Sequence, residues 1–187
     1  MTATAWHRGS PTTARRTCGC SPIRPTVAAV NGHAYAGGLT TAAVCDYRVC
    51  VAEDARFGLN EVPIGIPMPA VYVRMLAYAW GDPLAARASL LGELFSAEQA
   101  HAMRMVHELA AADDLLDRAV EMAERTPEDC IEPYAFTKRA CQAAALRDIA
   151  ELADPLDGDL PDGMTAEGAR HAHRRYWEEL KGSPAPW

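Results

Sequence analysis

A pair of glycines, Gly37 and Gly38, and a single glutamate, Glu61, have the residue types and spacing needed to move a proton next to a carbonyl group. The glycines follow an apolar run and precede small residues, which predicts a strand, a sharp turn that glycine permits, and the start of a helix. The first N–H groups of a helix have no partner inside the helix, and they stabilise negative charge. An anion-stabilising turn and one carboxylate can therefore remove such a proton and hold the resulting enolate.

Short predicted elements place these residues. Apolar and β-branched residues predict a strand at 26–31, small residues predict a helix at 38–44, and further strands are predicted at 46–52 and 55–59. The last strand delivers Glu61 into surroundings that are mostly apolar. Such surroundings raise the pKa of a carboxyl group, which suits acid/base catalysis.

The rest of the chain is predicted to be mainly helical. A stiff proline-rich loop precedes a helix at 70–80, which is predicted to be almost fully buried because Arg74 is its only charged residue. The other predicted elements are a helix with Asp82 as N-cap that ends at Gly92, a capping box at 96–99 that starts a short helix, a strand at 105–109, helices from 112 onward, a solvated acidic loop at 154–162 and an amphipathic helix at 164–180.

Three successive segments carry a family resemblance: P-T-V-A-A-V-N-G-H-A-Y-A-G-G, then C-D-Y-R-V, then A-R-F-G-L-N-E-V-P-I-G-I-P. Their order and spacing resemble the enoyl-CoA hydratase/isomerase family, the crotonase superfamily, from about Pro25 to the C-terminal helices. The resemblance implies an α/β, crotonase-like (ClpP/crotonase) fold that lacks the family's N-terminal strands. We expect residues 25–110 to form the core and residues 111–187 to form a C-terminal helical region.

The resemblance also implies a chemistry. Gly37 corresponds to an oxyanion-hole donor and Glu61 to the acid/base glutamate that acts on a coenzyme A thioester; no separate cofactor or metal is implied. Substrate contacts are expected from Tyr35, Gly38, Thr40 and Pro63. Family hydratases commonly carry a second glutamate at the position of Thr40, and threonine cannot take up a proton at neutral pH. Isomerase-like proton transfer, which needs one base, is therefore favoured over hydration, and other reactions of the family stay open.

Several further polar residues have two interpretations each. His33 is expected to be a packed or exposed loop histidine rather than a base, and His107 a surface or edge residue rather than a ligand. Asp46 and Arg48 are expected to form an ion pair or cap at a helix-to-strand corner rather than to act in catalysis. Lys138 lies where the family often has a lysine near the coenzyme's phosphates, and a solvated helix lysine is the alternative.

Residues 1–24 share nothing with the family. They are interpreted as a disordered tail, a transit-like presequence or an aberrant start, and the last is favoured. The family has several strands and helices ahead of the segment that matches 26–31, and these supply part of the sheet, one oxyanion amide and much of the coenzyme A site. The alternative function is accordingly a non-catalytic crotonase-like fragment that acts through oligomerisation.

Composition narrows the class of protein. The 187 residues suffice for one domain with a core, and the net charge of −7 argues against nucleic acid as a partner. No apolar run is long enough to span a bilayer, so no membrane association is expected. The six cysteines lack metal-site spacing, and Cys45 and Cys50 are predicted to be buried free thiols, which suits a reducing, cytoplasmic location. By resemblance, the expected assembly is a homotrimer or hexamer formed through the last helices.

Overall fold

Two small β-sheets and a set of helices form the part of the chain that the computed structural model describes, which is residues 3–6, 24–158, 171 and 174. The strands are β1 (Ala3–Trp6), β2 (Val27–Val30), β3 (Ala34–Tyr35), β4 (Tyr47–Val51), β5 (Arg56–Gly58), β6 (Leu94–Ser96) and β7 (Glu108–Ala110). The helices are α1 (Gly37–Ala43), α2 (Ala70–Trp80), α3 (Asp82–Leu91), α4 (Ala97–Ala102), α5 (Leu115–Glu124) and α6 (Ile131–Gly158), with a 3₁₀ turn at Glu128–Cys130. This order confirms the α/β class and the C-terminal helical region.

The larger sheet has the strand order β1-β2-β4-β7. β2, β4 and β7 run parallel, whereas β1 pairs antiparallel with β2, with Ala3 opposite Val30. Every residue of β2 is buried, as is typical of a strand covered on both faces. The sequence did not predict β1, and the remaining residues of the first 23 lie outside the described part.

The smaller sheet has the order β3-β5-β6, in which β3 and β5 are parallel and β5 and β6 are antiparallel. Between the two sheets and the helices lies one apolar core. Its largest fully buried side chains are Phe57, Leu39, Leu59, Leu76, Met105, Val49, Val106 and Cys50. Cys45 is also a buried free thiol, which confirms the prediction for this pair of cysteines.

The predicted burial of α2 is wrong, although its bounds are as predicted. Leu76 is its one fully buried side chain, while Tyr72 and Tyr78 are 40% and 43% exposed. The helix packs against α1, α3 and α6, and these neighbours leave part of its surface exposed in the described chain. An almost uncharged helix is therefore not enclosed by the part of the chain that the structure describes.

Other boundaries also differ from the predicted ones. Gly81, not Asp82, is the N-cap of α3, without a side-chain cap, whereas Gly92 ends the helix in the left-handed region as expected. Met105 and Val106 lie in a buried turn, and the strand starts only at Glu108. α6 runs through to Gly158, so the first part of the predicted acidic loop is helical. The rest of that loop and most of the predicted last helix lie outside the described residues.

Within the described ranges, no helix has the length and apolar character needed to cross a membrane.

Arg48 is a structural residue at the corner between α1 and β4. It is 4% exposed and donates hydrogen bonds to the carbonyl oxygens of Ala43, Cys45 and Met105 at 2.7–2.8 Å. Burial lowers the pKa of Arg48 to about 10, which leaves it charged at neutral pH. These bonds join the end of α1 to the segment before β7, which matches the expected structural role.

His107 completes this corner. Its Nδ1 accepts a hydrogen bond from the backbone N–H of Arg48 at 3.1 Å, its Nε2 lies 3.3 Å from the Arg48 guanidinium, and its ring stacks on Tyr47. Desolvation and then the Arg48 charge lower the pKa of His107 to about 4, although the residue as a whole is exposed and only the ring face against Tyr47 and Arg48 is covered. The ring is therefore a neutral acceptor, which fits the edge position predicted for it.

Acidification from pH 6.5 toward pH 4 is expected to destabilise the fold through His107. The unfolded chain binds a proton near the ordinary histidine pKa of 6.5, whereas the folded chain does so only near 4, so stability is lost as pH falls through this window. Urea unfolding at a series of pH values measures the effect. His107→Asn keeps an acceptor but cannot titrate, so its stability should fall less over this window than that of wild type. Identical pH dependence in wild type and His107→Asn would contradict this assignment.

Candidate functional site

The turn between β3 and α1 is held in a strained conformation at Ala36. This residue has φ 51° and ψ −129°, a region that costs a side-chain-bearing residue about 1–3 kcal/mol. Its N–H donates to the Gly58 carbonyl oxygen at 3.0 Å, and its own carbonyl oxygen accepts from the Thr40 N–H at 3.0 Å. β5 on one side and α1 on the other thus fix the direction in which the chain enters the helix.

The two glycines do not make the turn, contrary to the prediction. The positive φ lies on Ala36, and neither Gly37 nor Gly38 has one. A Cβ on either glycine would meet nothing within 4 Å, so open space lies beside both. Both begin a helix, where N–H groups have no intrahelical partner. What the glycines contribute is therefore an uncovered backbone next to a space that a ligand atom could enter.

Glu61 lies in a compact turn after β5. Its carbonyl oxygen accepts hydrogen bonds from the N–H groups of Ile64 and Ile66, at 3.1 and 2.8 Å, so the turn is closed on itself. Oε2 of Glu61 is buried and has no hydrogen-bond partner among the described residues. Desolvation raises the pKa of Glu61 above its ordinary value, in the predicted direction. A buried carboxyl oxygen without a hydrogen-bond partner is energetically costly, and a catalytic role is one explanation for its presence.

The parallel pairing of β3 and β5 brings the two parts of the site to one edge. Tyr35 is opposite Gly58. Gly37 lies two residues after Tyr35, and Glu61 lies three residues after Gly58. The carboxyl ends of parallel strands meet at the same sheet edge. His33 reinforces the pairing, because its Nδ1 accepts the Arg56 N–H at 3.2 Å, which agrees with a packed loop histidine.

The other predicted site residues are placed less uniformly. Thr40 is 4% exposed, and its hydroxyl donates to the Ala36 carbonyl oxygen at 3.3 Å. Tyr35 is half-buried, with its ring next to Gly58. The Pro63 ring lies against Gly92, so it supports the loop that carries Glu61. Substrate contact by Tyr35, Gly38, Thr40 and Pro63 stays a prediction.

Both sequence interpretations of Lys138 are wrong in this structure. Its side chain is 7% exposed, so it is not solvated, and Nζ lies 2.6 Å from Oδ2 of Asp46, so it is not a free cation for a phosphate. The same Asp46 oxygen accepts the N–H and hydroxyl of Thr26, both at 2.8 Å. Asp46 is thus an ion-paired corner residue, as predicted, and its partner comes from α6. A lysine 92 positions away gives no local signal for such a pairing.

Sequence reasoning also missed Ala36 and Gly92. Alanine in the left-handed region has no recognisable signature, whereas the glycine that ends α3 could have been suspected of a second role. An added Cβ on Gly92 would lie 2.2 Å from Cγ of Pro63. This contact joins the end of α3 to the turn that carries Glu61.

Comparison with known sequences identifies relatives of this site. A family model described as enoyl-CoA hydratase/isomerase matches residues 20–181. The chain is 36% identical over 152 residues to a Thermus thermophilus protein assigned as an enoyl-CoA hydratase, covering 76% of this chain and 59% of that protein. It is 30% identical over 152 residues to the mitochondrial enoyl-CoA hydratase of Pongo abelii, covering 76% and 52%. The chain therefore spans a little over half the length of these relatives.

Solved structures agree on the fold. An enoyl-CoA isomerase of Mycobacterium tuberculosis is similar with a TM-score of 0.66 at 27% identity, covering 73% of this chain and 60% of that one. The human mitochondrial Δ3-Δ2-enoyl-CoA isomerase has a TM-score of 0.71 at 24% identity, covering 85% and 62%, and this likeness shows the fold alone. The predicted crotonase-like fold is confirmed. The chain belongs to the enoyl-CoA hydratase/isomerase family.

Proposed function

We propose that the chain acts on enoyl-CoA thioesters and that it moves a double bond by proton transfer through Glu61 alone. The observation that carries the proposal is the buried Glu61 carboxyl oxygen, which has no described hydrogen-bond partner. The segment that carries Glu61 follows the same sheet edge as the open backbone at Gly37. The names of the relatives, which include hydratases and isomerases, support the substrate class.

The proposed reaction converts a 3-enoyl thioester into a 2-enoyl thioester. The thioester oxygen accepts a hydrogen bond from the Gly37 N–H. The Glu61 carboxylate takes a proton from C2, and the electron pair of that C–H bond spreads over a dienolate whose charge rests on the oxygen. Glu61 then returns a proton to C4, so that the double bond lies between C2 and C3. One oxyanion donor typically contributes about 2.7–4 kcal/mol of transition-state stabilisation.

The electrostatic setting of Glu61 suits both halves of this cycle. A carboxyl group with a raised pKa is a stronger base when ionised and is protonated long enough to act as an acid. Its turn is closed by backbone hydrogen bonds, which fix the main chain from which the carboxylate extends.

Thr40 supports isomerisation over hydration. Hydration by two carboxylates would need an acid or base at this position, and a threonine hydroxyl does not ionise at neutral pH. The hydroxyl is also directed to the carbonyl oxygen of Ala36 on the preceding helical turn. We therefore assign Thr40 to the support of the strained turn, with the proton chemistry left to Glu61.

Two substrates offered separately test the proposal. With a short 3-enoyl-CoA, the chain is expected to form the conjugated 2-enoyl-CoA, measured as a rise in the ultraviolet absorbance of the conjugated thioester. With the 2-enoyl-CoA itself, conversion to the 3-hydroxyacyl product is expected to be the slower reaction, since the site lacks a second carboxylate to activate water. A thermal melt and isothermal titration establish first that the chain is folded and binds. Faster hydration than isomerisation would refute the isomerase assignment.

A second candidate is a non-catalytic chain that associates with copies or relatives of itself. Exposed apolar side chains on the neighbouring helices α2 and α6 favour it: Tyr72, Tyr78, Phe136 at 70% and Leu146 at 57%. Under this alternative, the chain forms trimers or hexamers by light scattering yet neither binds nor turns over any acyl-CoA. Assembly and turnover are compatible, so the binding measurement separates the two candidates.

A further inference from the structure

We propose that Gly92 is a positioning residue for Glu61, because its missing side chain leaves the space in which the Pro63 ring fixes the Glu61 turn. The inference deepens the proposed function and rests on the role given there to Glu61. Gly92 itself touches no reacting atom and acts through Pro63.

The contact is unusually close. A Cβ on Gly92 would lie 2.2 Å from Cγ and 2.8 Å from Cδ of Pro63, closer than non-bonded carbon atoms approach in proteins. A pyrrolidine ring is rigid and part of the backbone, so it cannot swing aside as a flexible side chain does. An alanine at this position must therefore displace the backbone at Pro63.

Strand pairing and a surface ion pair hold the other side of this contact. β6 follows Gly92 directly and pairs with β5, with Leu94 opposite Gly58. Arg87 of α3 forms an ion pair with Glu93 at 2.6 Å and lies over the Phe95 ring. The corner from α3 to β6 is thus braced at both ends.

The Glu61 turn transmits any displacement of Pro63. The N–H of Gly65 donates to the Val62 carbonyl oxygen at 2.9 Å, and the Glu61 carbonyl oxygen accepts from two N–H groups across Pro63. Because Pro63 lies inside this closed turn, a shift of its ring moves Glu61 with it. Misplacement of a catalytic group by about 1 Å can cost about 10²-fold in rate.

The chain supplies a matched control in Gly81 at the other end of α3. Gly81 has φ +83° and ψ 151°, a region almost confined to glycine, and Gly92 has φ +62° and ψ 27°, so alanine is strained at both positions and more so at Gly81. A Cβ on Gly81 would have Pro83 Cδ at 3.9 Å as its nearest atom, an ordinary contact. Gly81→Ala therefore carries the conformational strain without the collision.

The experiment compares Gly92→Ala with Gly81→Ala in the isomerase assay and in a titration of the Glu61 carboxyl by carbon NMR, assigned through Glu61→Gln. Gly92→Ala is expected to lower kcat by about 10–10²-fold with KM little changed, and to shift the Glu61 titration from its wild-type position. Gly81→Ala is expected to leave both near wild type. Equal effects of the two substitutions would overturn the proposal.

Pro63→Ala provides the second test, because it removes Cγ and Cδ and leaves only the Cβ, which would lie 3.5 Å away. In this background, adding Gly92→Ala should change kcat and the Glu61 titration no more than Gly81→Ala does. A full loss in both backgrounds would overturn the proposal.

If Gly92→Ala does not fold, the double variant should fold. If the double variant also fails while Pro63→Ala folds, the contact is not what Gly92 serves. The carboxyl titration decides the question even if wild type shows no isomerase activity, which would refute the proposed function alone.

Discussion

Replacing Glu61 with glutamine is expected to slow the exchange of C2 protons of a bound thioester by about 10²–10⁴-fold, the usual contribution of a general base. Glutamine keeps the size of the side chain but cannot accept the proton, and Thr40 offers no second base. Because Oε2 of Glu61 has no described hydrogen-bond partner, the substitution should not break an interaction of the fold. Uptake of solvent deuterium at C2, followed by mass spectrometry, measures the rate.

The control for this substitution is Glu53→Gln, which changes an exposed glutamate in the turn after β4. It should leave the exchange rate within about twofold of wild type, since surface changes away from a site have small effects. Glu61→Gln should also retain its melting temperature and its affinity for acyl-CoA. Undiminished exchange in a folded, ligand-binding Glu61→Gln chain would show that another group is the base.

Replacing Lys138 with methionine is expected to lower the free energy of unfolding by somewhat less than the roughly 3–5 kcal/mol that breaking a fully buried ion pair costs, because the Asp46 side chain is 24% exposed. Among the described residues, Asp46 would then be left with the hydrogen bonds from Thr26 and Tyr134. The loss should exceed that of an ordinary surface lysine, because Lys138 also connects α6 to the carbonyl oxygen of Arg24 ahead of β2. Urea unfolding followed by circular dichroism measures it.

An exposed ion pair gives the matched comparison. Arg24 and Glu128 lie 2.6 Å apart, with side-chain exposures of 27% and 72%, so Glu128→Gln should change stability far less than Lys138→Met does. The double variant Asp46→Asn/Lys138→Met should be more stable than Lys138→Met alone, because it no longer buries an unpaired charge. Equal losses for Lys138→Met and Glu128→Gln would contradict the buried character of the Asp46–Lys138 pair.

Local signals in the sequence predicted much of this structure correctly. The capping box at Ser96 and Gln99 is present. It was predictable because both of its hydrogen bonds join residues only three positions apart. The apolar run before Asn31 forms β2, and Gly92 ends α3. The apolar neighbours of Glu61 predicted the direction of its pKa shift. Each of these features depends on residues within a few positions of one another.

Long-range contacts were not predictable in the same way. The pairing of Asp46 with Lys138, the contact between Pro63 and Gly92 and the hydrogen bond from Arg48 to Met105 all join distant parts of the chain. The amino-acid types of these residues do not indicate which partner each of them contacts. Ala36 shows a further limit, because its strained φ is imposed by β5 and α1 against the preference of alanine itself. Interpretation of the neighbouring glycines as the turn residues followed propensity, which tertiary contacts overrode.

The route of a single proton tests the central claim most directly. A 3-enoyl-CoA carrying deuterium at C2 is incubated with the chain in ordinary water, and the product is analysed by NMR. One buried carboxylate that serves as both base and acid should return part of that deuterium to C4 of the 2-enoyl-CoA. Unchanged transfer of deuterium to C4 in Glu61→Gln, or a 3-hydroxyacyl-CoA as the main product of the wild-type chain, would contradict proton transfer through Glu61 alone.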